Sequence, residues 1–272
     1  MATIEFSEEQ TMLMETAVDF CRKHSPLDRV RAQIEQSDGI SAEVWQEMVD
    51  LGWLGITVPE PYGGLGLSLA DTVPIAESMG RHLMGSPFVA TTLATQALIQ
   101  NASETQKEHW LPQIAEGSAA SLALTEEDGN WNLTEVGSHA QVQGDELLLT
   151  AKKCFVLDAP QAAVIVVSAQ VDGAARLVAV TADQLPEGAL VRETVIDETR
   201  RSYTLEVDAL ALPADQLLPG ADFASIEHAA LLLLSAEMSG GLAGVLHVLI
   251  AYLTTRKQFD QYIGSYQSLK HP

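Results

Sequence analysis

The sequence predicts a multi-domain fold of helices and strands: an N-terminal all-α domain, a middle antiparallel β-sandwich or barrel domain, and the start of a C-terminal helical-bundle domain. Three observations predict it. Apolar residues recur at helical spacing up to Gly117. Beyond Gly117 the pattern changes to short runs rich in Val, Leu and Ala, separated by Gly, Asp and Pro, with no helical segments between them. After Pro219-Gly220 one apolar segment runs from about Asp222 to Lys257. The expected domains are residues 1–118, 119–220 and 221–272.

Each element has a local cause. Ser7 with Gln10 forms a capping box, and Leu13, Ala17 and Phe20 share one face of the helix it opens. Ser25-Pro26 stops that helix. A second helix starts near Ser41, carries Val44, Trp45 and Met48, and ends at Gly52. Pro59-Glu60-Pro61-Tyr62-Gly63-Gly64 is a turn region. Further helices are expected near Ser68–Met79, Phe88–Gln100 and Ser103–Ala115, the last opened by Ser103 with Gln106. The strand runs are Ala119–Thr125, Glu146–Ala151, Ala163–Ala169, Arg176–Thr181 and Tyr203–Val207.

The long C-terminal segment needs its own argument. Between Ala229 and Leu253 the sole formally charged residue is Glu237, so the stretch is long enough to span a bilayer. A carboxylate in the middle of a span is costly, and the upstream flank carries Asp222 and Glu227 instead of Lys or Arg. The segment is therefore read as a buried helix of a soluble bundle, with no membrane span. Gly240 and Gly244 fall on one face, where another helix can approach closely. His247 on the same helix reads as a satisfied core residue.

Composition excludes several functions. The 272 residues include 15 basic and 37 acidic side chains, a net charge of −22. A nucleic-acid partner needs Lys and Arg to neutralise phosphates, so none is expected. The acidity sits in residues 1–120 (net −11) and 121–220 (net −10), while residues 221–272 carry −1. Two widely separated cysteines, Cys21 and Cys154, and scattered histidines form no metal-ligand spacing, so no metal site is expected. The acidic, polar start does not look like a secretory leader, and a cytoplasmic location is expected. Gly63-Gly64-Leu65-Gly66 lacks the dinucleotide fingerprint and reads as a structural turn.

Three short segments carry the chemistry. Ser121-Leu122-Ala123-Leu124-Thr125-Glu126 ends a strand with a hydroxyl and an acid. Lys153-Cys154-Phe155-Val156 follows further on. Arg256-Lys257-Gln258-Phe259-Asp260, with Ile263, Tyr266-Gln267 and Lys270-His271, closes the chain. Alone, each is ordinary; a cationic pair at a helix C-terminus, for example, simply suits the macrodipole. Their order on a helical domain, a strand domain and a long helix, together with Leu54-Gly55-Ile56-Thr57-Val58-Pro59 through Gly66, resembles the acyl-CoA dehydrogenase family along the whole chain.

The resemblance implies a function. Members of that family hold FAD between domains and subunits, most as tetramers. They dehydrogenate an acyl-CoA to the trans-2-enoyl-CoA, with a carboxylate base and with the β-hydride passing to the flavin. Electrons would then pass to an electron-transfer flavoprotein or similar acceptor. Carried over, Leu124 and Thr125 contact the flavin, and Phe155, Val156 and Leu157 line its isoalloxazine. Arg256, Phe259 and Gln267 belong to the segment that reaches the FAD of a neighbouring subunit. Arginine suits a diphosphate because its planar fork stays charged and binds two oxygens. The implied assembly is a homo- or hetero-tetramer.

The departures are as specific as the matches. The family's Pro-Gly-Ala-Gly-Ser-Asp loop is here Glu127-Asp128-Gly129-Asn130-Trp131-Asn132. Phe155 replaces the family's Trp, Leu157 its Thr, and Asp260 its Gly. The family's usual catalytic Glu lies beyond the position matching Pro272. A branch places its base where Ala230 stands here, one helical turn from Glu227, so the catalytic base is left unassigned, with Glu227 as the nearest upstream acid. A solvated residue at a helix start is its ordinary reading. Two rivals to the dehydrogenase reading follow: a non-catalytic, flavin-contributing subunit of a heteromer, and a flavin oxidase or monooxygenase on the same fold.

Overall fold

The computed structural model describes residues 7–35 and 39–270, so the leader reading of the first residues and His271 of the closing segment lie outside the described residues. The N-terminal region contains α1 (Glu8–His24), α2 (Leu27–Glu35), α3 (Ala42–Asp50), α4 (Val73–Arg81), α5 (Phe88–Asn101) and α6 (Glu104–Ala115). The capping boxes at Ser7 and Ser103 are both formed. α2 is an element that the sequence pattern did not reveal. Asp71 caps a 3₁₀ turn at Leu69–Thr72, so the helix expected from Ser68 begins only at Val73.

α5 is buried on nearly every side. Its threonines remain satisfied there: Thr92 and Thr95 hydroxyls donate back to Phe88 and Thr91 carbonyls (both 2.8 Å). Thr91 Oγ1 accepts from Ala120 N at 3.1 Å, which ties α5 to the first strand.

The middle region holds β1 (Ala119–Ala123), β2 (Thr125–Glu126), β3 (His139–Gln143), β4 (Glu146–Leu157), β5 (Ala162–Val171), β6 (Ala174–Thr181), β7 (Leu190–Arg192) and β8 (Ser202–Pro213). They form one eight-stranded sheet in the order β1-β5-β3-β4-β8-β7, with β2 on β4 and β6 on β5. The sheet is mixed: β1 and β3 run parallel to β5, and the other pairs are antiparallel. The parallel pair β1–β5 exists because β2, β3 and β4 together form the crossover that such pairing needs. The inner face buries Leu147, Leu149, Val156, Ile165, Val167, Val180 and Leu205. The outer face of β1, β5 and β6 packs against α5 and α6 through Leu98, Leu111, Ile114, Val164, Val166 and Leu177.

α7 (Phe223–Thr255) starts from an Asp222 cap, whose carboxylate accepts from Ser225 N at 3.0 Å. Its first half packs on α4, and the crossing is close: a Cβ on Gly240 would collide with Glu77 O, and one on Gly244 would lie 2.5 Å from Arg81 O. Glu237, in the middle, is buried and paired with Arg200. The second half differs from the expectation of a buried helix. Leu242, Val245, Leu246, Leu249 and Ile250 are exposed, and so is His247, which is no core residue. The helix is long and apolar enough to cross a bilayer; its described contacts at Glu237, Gly240 and Gly244 are with protein. A short hairpin of β9 (Lys257–Gln258) and β10 (Gln261–Tyr262) and a final turn, α8 (Gln267–Lys270), follow.

Candidate functional site

Strand pairing joins two of the three segments singled out from the sequence. β2 lies antiparallel to β4 with Thr125 opposite Cys154 and Glu126 opposite Lys153. Leu124 and Thr125 are thereby brought to the strand that carries Phe155, Val156 and Leu157. The β4–β8 register shifts between Lys153 and Val156, and Phe155 sits in this bulge with φ +57°. A phenylalanine in the left-handed region carries strain of roughly 1–2 kcal/mol, so something must hold it. Glu193 does: its carboxylate accepts from Phe155 N (3.2 Å), Ser202 Oγ (2.6 Å) and Thr204 Oγ1 (2.9 Å).

Beside this bulge lies a cavity of about 350 Å³, lined by Glu127, Asp128, Gly129, Lys152, Lys153, Cys154, Phe155, Glu193 and Thr204. That volume is at the lower end of small-molecule sites and suits a ring system. Phe155 is half exposed there, whereas Val156 is fully buried in the sheet core and Leu157 half buried. Val156 therefore supports the wall from behind. Behind the cavity the buried Lys153 ammonium pairs with Glu126 and donates to Ser168 Oγ at 2.8 Å. Burial lowers the Lys153 pKa, and the Glu126 carboxylate opposes that shift. Burial also raises the Cys154 thiol pKa, with Glu193 adding to it, so Cys154 is a poor nucleophile.

Leu124 and Thr125 are buried and do not line this cavity, and the remaining candidates lie elsewhere. Arg256 is exposed at the end of α7 and stacks over Tyr252 at 5.4 Å. Phe259 is exposed at the tip of the β9–β10 hairpin, and Gln267 is exposed at the start of α8. None of the three lines the cavity. Glu227 is exposed in the first turn of α7 and does not line it either. Sequence reasoning missed Glu193, which stands just outside β7 in a segment without periodicity.

The residues fit a flavin ring better than its phosphates. A strained, half-exposed aromatic wall with backbone groups beside it suits an isoalloxazine. Glu127, Asp128 and Glu193 on the same cavity disfavour an anion, so a diphosphate would lie away from them.

Comparison with known proteins points to one family. The family model for the acyl-CoA dehydrogenase N-terminal domain matches residues 7–118. The chain is 32% identical over 172 residues to mitochondrial isovaleryl-CoA dehydrogenase of Bos taurus, covering 61% of this chain and 40% of that protein. It is 28% identical over 292 residues to the Pongo abelii isovaleryl-CoA dehydrogenase, covering 97% and 66%. The chain thus spans from two fifths to just under two thirds of these relatives' length. The solved structure of a steroid ACAD, the Tcur3481-Tcur3483 protein, superposes with a TM-score of 0.86 at 29% identity, covering 97% of this chain and 72% of that one. Residues 7–118 thus match the N-terminal domain of the acyl-CoA dehydrogenase family, and the chain along nearly its whole length is similar to acyl-CoA dehydrogenases, which are FAD-dependent oxidoreductases.

Proposed function

We propose that this chain forms the flavin wall of a FAD-dependent acyl-CoA dehydrogenase that converts an acyl-CoA thioester to its trans-2-enoyl-CoA. The observation that carries this reading is the pairing of Thr125 with Cys154 beside the Glu193-held Phe155. When bound, FAD supplies the acceptor for the hydride leaving the acyl β-carbon. Phe155 offers the ring an apolar face, and Leu124 and Thr125 offer it backbone groups and a hydroxyl. Glu193 keeps Phe155 in its strained conformation. Arg256 and Gln267, exposed and apart from the cavity, suit contact with the FAD of a neighbouring subunit in a tetramer. The exposed half of α7 is read as protein–protein surface in that assembly. Two free cysteines accord with a reducing, cytoplasmic location.

The test is a visible absorption spectrum of the purified chain, then anaerobic titration with acyl-CoA thioesters. The panel includes branched short-chain and steroid-linked acids, because the relatives carry those names. Flavin absorbance bleached by one class of thioester is the expected result. A chain that neither carries nor takes up FAD overturns the reading.

A second reading, a flavin-contributing subunit whose partner supplies the base, is favoured by a specific observation. Each carboxylate of the cavity is already engaged: Glu193 by three donors, Glu127 by Lys152 at 2.9 Å, and Asp128 by Asn130 N at 3.0 Å. Co-purification with a related chain, and turnover only in its presence, would establish this second reading. An electron-transfer flavoprotein or similar acceptor completes either scheme.

A further inference from the structure

A second opening lies away from the flavin-side cavity and shares no residue with it. It is a cleft of about 1240 Å³ between α1–α3 and the end of the sheet where β1 and β5 start and β6 stops. Its space comes from short side chains: Ala32, Ala42, Ala119, Ala162, Ala163 and Ala182 all line it. Trp45 lines it too. Its Nε1–H donates to Gly117 O at 2.8 Å, which pins α3 to the turn before β1.

His24 forms part of the cleft wall and is 6% exposed. Its ring is fixed from two sides. It packs on Phe20 with centroids 4.6 Å apart, and Nε2 lies 2.9 Å from Glu47 Oε2. A carboxylate only accepts, so Nε2 carries the hydrogen, and Nδ1 of the neutral ring is left as an acceptor. Nδ1 is buried and has no hydrogen-bond partner among the described residues. A buried acceptor without a donor is costly, and a ligand that brings the donor recovers that cost.

We propose that this cleft binds a neutral, largely apolar alcohol whose hydroxyl donates to His24 Nδ1. The alanine walls and Trp45 give an apolar body its contacts. Charge favours a neutral head group. Glu43 and Glu47 stand on the wall one turn apart on α3, but Arg29 also lines it and Lys23 pairs with Glu47 at 3.0 Å. Two carboxylates and two cations offset one another, so an ammonium or a carboxylate entering here meets a like charge beside each countercharge. A hydroxyl meets neither penalty and supplies what Nδ1 lacks.

The test uses the full chain and four probes with one aromatic body: naphthalenemethanol, its methyl ether, naphthylmethylammonium and naphthylacetate. Binding is read by equilibrium dialysis. The alcohol is expected to bind about tenfold tighter than the ether, which cannot donate, and tighter than either ion. His24→Gln keeps a donor towards Glu47 and removes the Nδ1 acceptor. In that variant the alcohol should fall to the affinity of the ether, with the ether itself unchanged. The ratio of alcohol to ether in the parent needs no variant, so the outcome does not depend on how well His24→Gln folds. An ether that binds as tightly as the alcohol, an ion that binds more tightly, or an alcohol that binds His24→Gln as it binds the parent overturns the assignment. So does a parent that binds none of the four. A chain that takes up no FAD still binds the alcohol, because the two openings are separate.

Discussion

Lys153 is fully buried, and its ammonium ends on the carboxylate of Glu126, the residue opposite it across the β2–β4 pair. The same carboxylate accepts from Gly137 N (3.0 Å) and from Ser138 N (3.2 Å) and Oγ (3.0 Å). One ion pair thus joins the strand carrying Thr125, the strand carrying Phe155 and the return of the divergent loop. Removing one partner of such a pair leaves a buried group uncompensated, at a cost of about 3–5 kcal/mol. Lys153→Met should therefore lower the urea midpoint sharply. Lys153→Met combined with Glu126→Gln should recover part of the loss, because the remaining group is then neutral. A single variant as stable as the parent would remove the ion pair from this account.

Asp158 follows that strand, in the left-handed region at φ +52°, with its N–H donated to Arg201 O at 2.8 Å. Burial pushes its carboxyl up to about 6, against the pull of Arg201, Arg200 and Arg192. The folded pKa thus exceeds the unfolded value of 3.8. Below pH ~4 both states are protonated and the neutral carboxyl contributes fully. As pH rises to ~6 the unfolded chain releases its proton first, and roughly 2 kcal/mol of stability is lost. Asp158→Asn keeps a neutral side chain that tolerates this backbone. The melting temperature of the variant should exceed that of the parent by a margin that widens from pH 4 to pH 7. Parallel pH profiles would refute this.

Gly240 and Gly241 are neighbours on α7 with opposite expectations. A Cβ on Gly240 collides with the α4 backbone at Glu77, whereas one on Gly241 finds its nearest atom, Gly80 O, at 3.7 Å. Gly240→Ala must force the helices apart, which costs about 1–3 kcal/mol. Gly241→Ala gains up to ~1 kcal/mol of helix propensity. Thermal unfolding of the two variants should shift in opposite directions, and a shared sign would contradict the close crossing.

Local rules carried far in this chain. Ser7, Ser103 and the Gly240/Gly244 face needed only capping chemistry and helical spacing, and the structure bears all three out. What sequence could not carry was pairing. β3 and β7 are short and largely polar outward, and their partners lie on other strands, so no period announces them. The Leu124–Thr125 and Phe155 segments were legible as motifs, but their adjacency depends on the β2–β4 register. Glu193 serves Phe155 from 38 residues away, a separation no local pattern spans. His247 failed for a related reason: an apolar helix does not say which of its faces meets protein.

That helix carries the last prediction. As far as Gly244 one face of α7 is held by α4, and Arg200 pairs with Glu237, whereas Leu242 (71% exposed), Val245 (67%), Leu246 and Leu249 face solvent. Leu242, Leu246 and Leu249 follow helical spacing, so they form one continuous stripe. Contiguous apolar surface of this kind marks an association site. The 272-residue chain should therefore self-associate with rising concentration in sedimentation velocity. Leu242→Glu with Leu249→Glu should return it to monomer. Because both side chains are exposed, the thermal midpoint of the variant in dilute solution should stay close to that of the parent. A parent that remains monomeric at every concentration would show that the stripe is not used by a second copy of this chain.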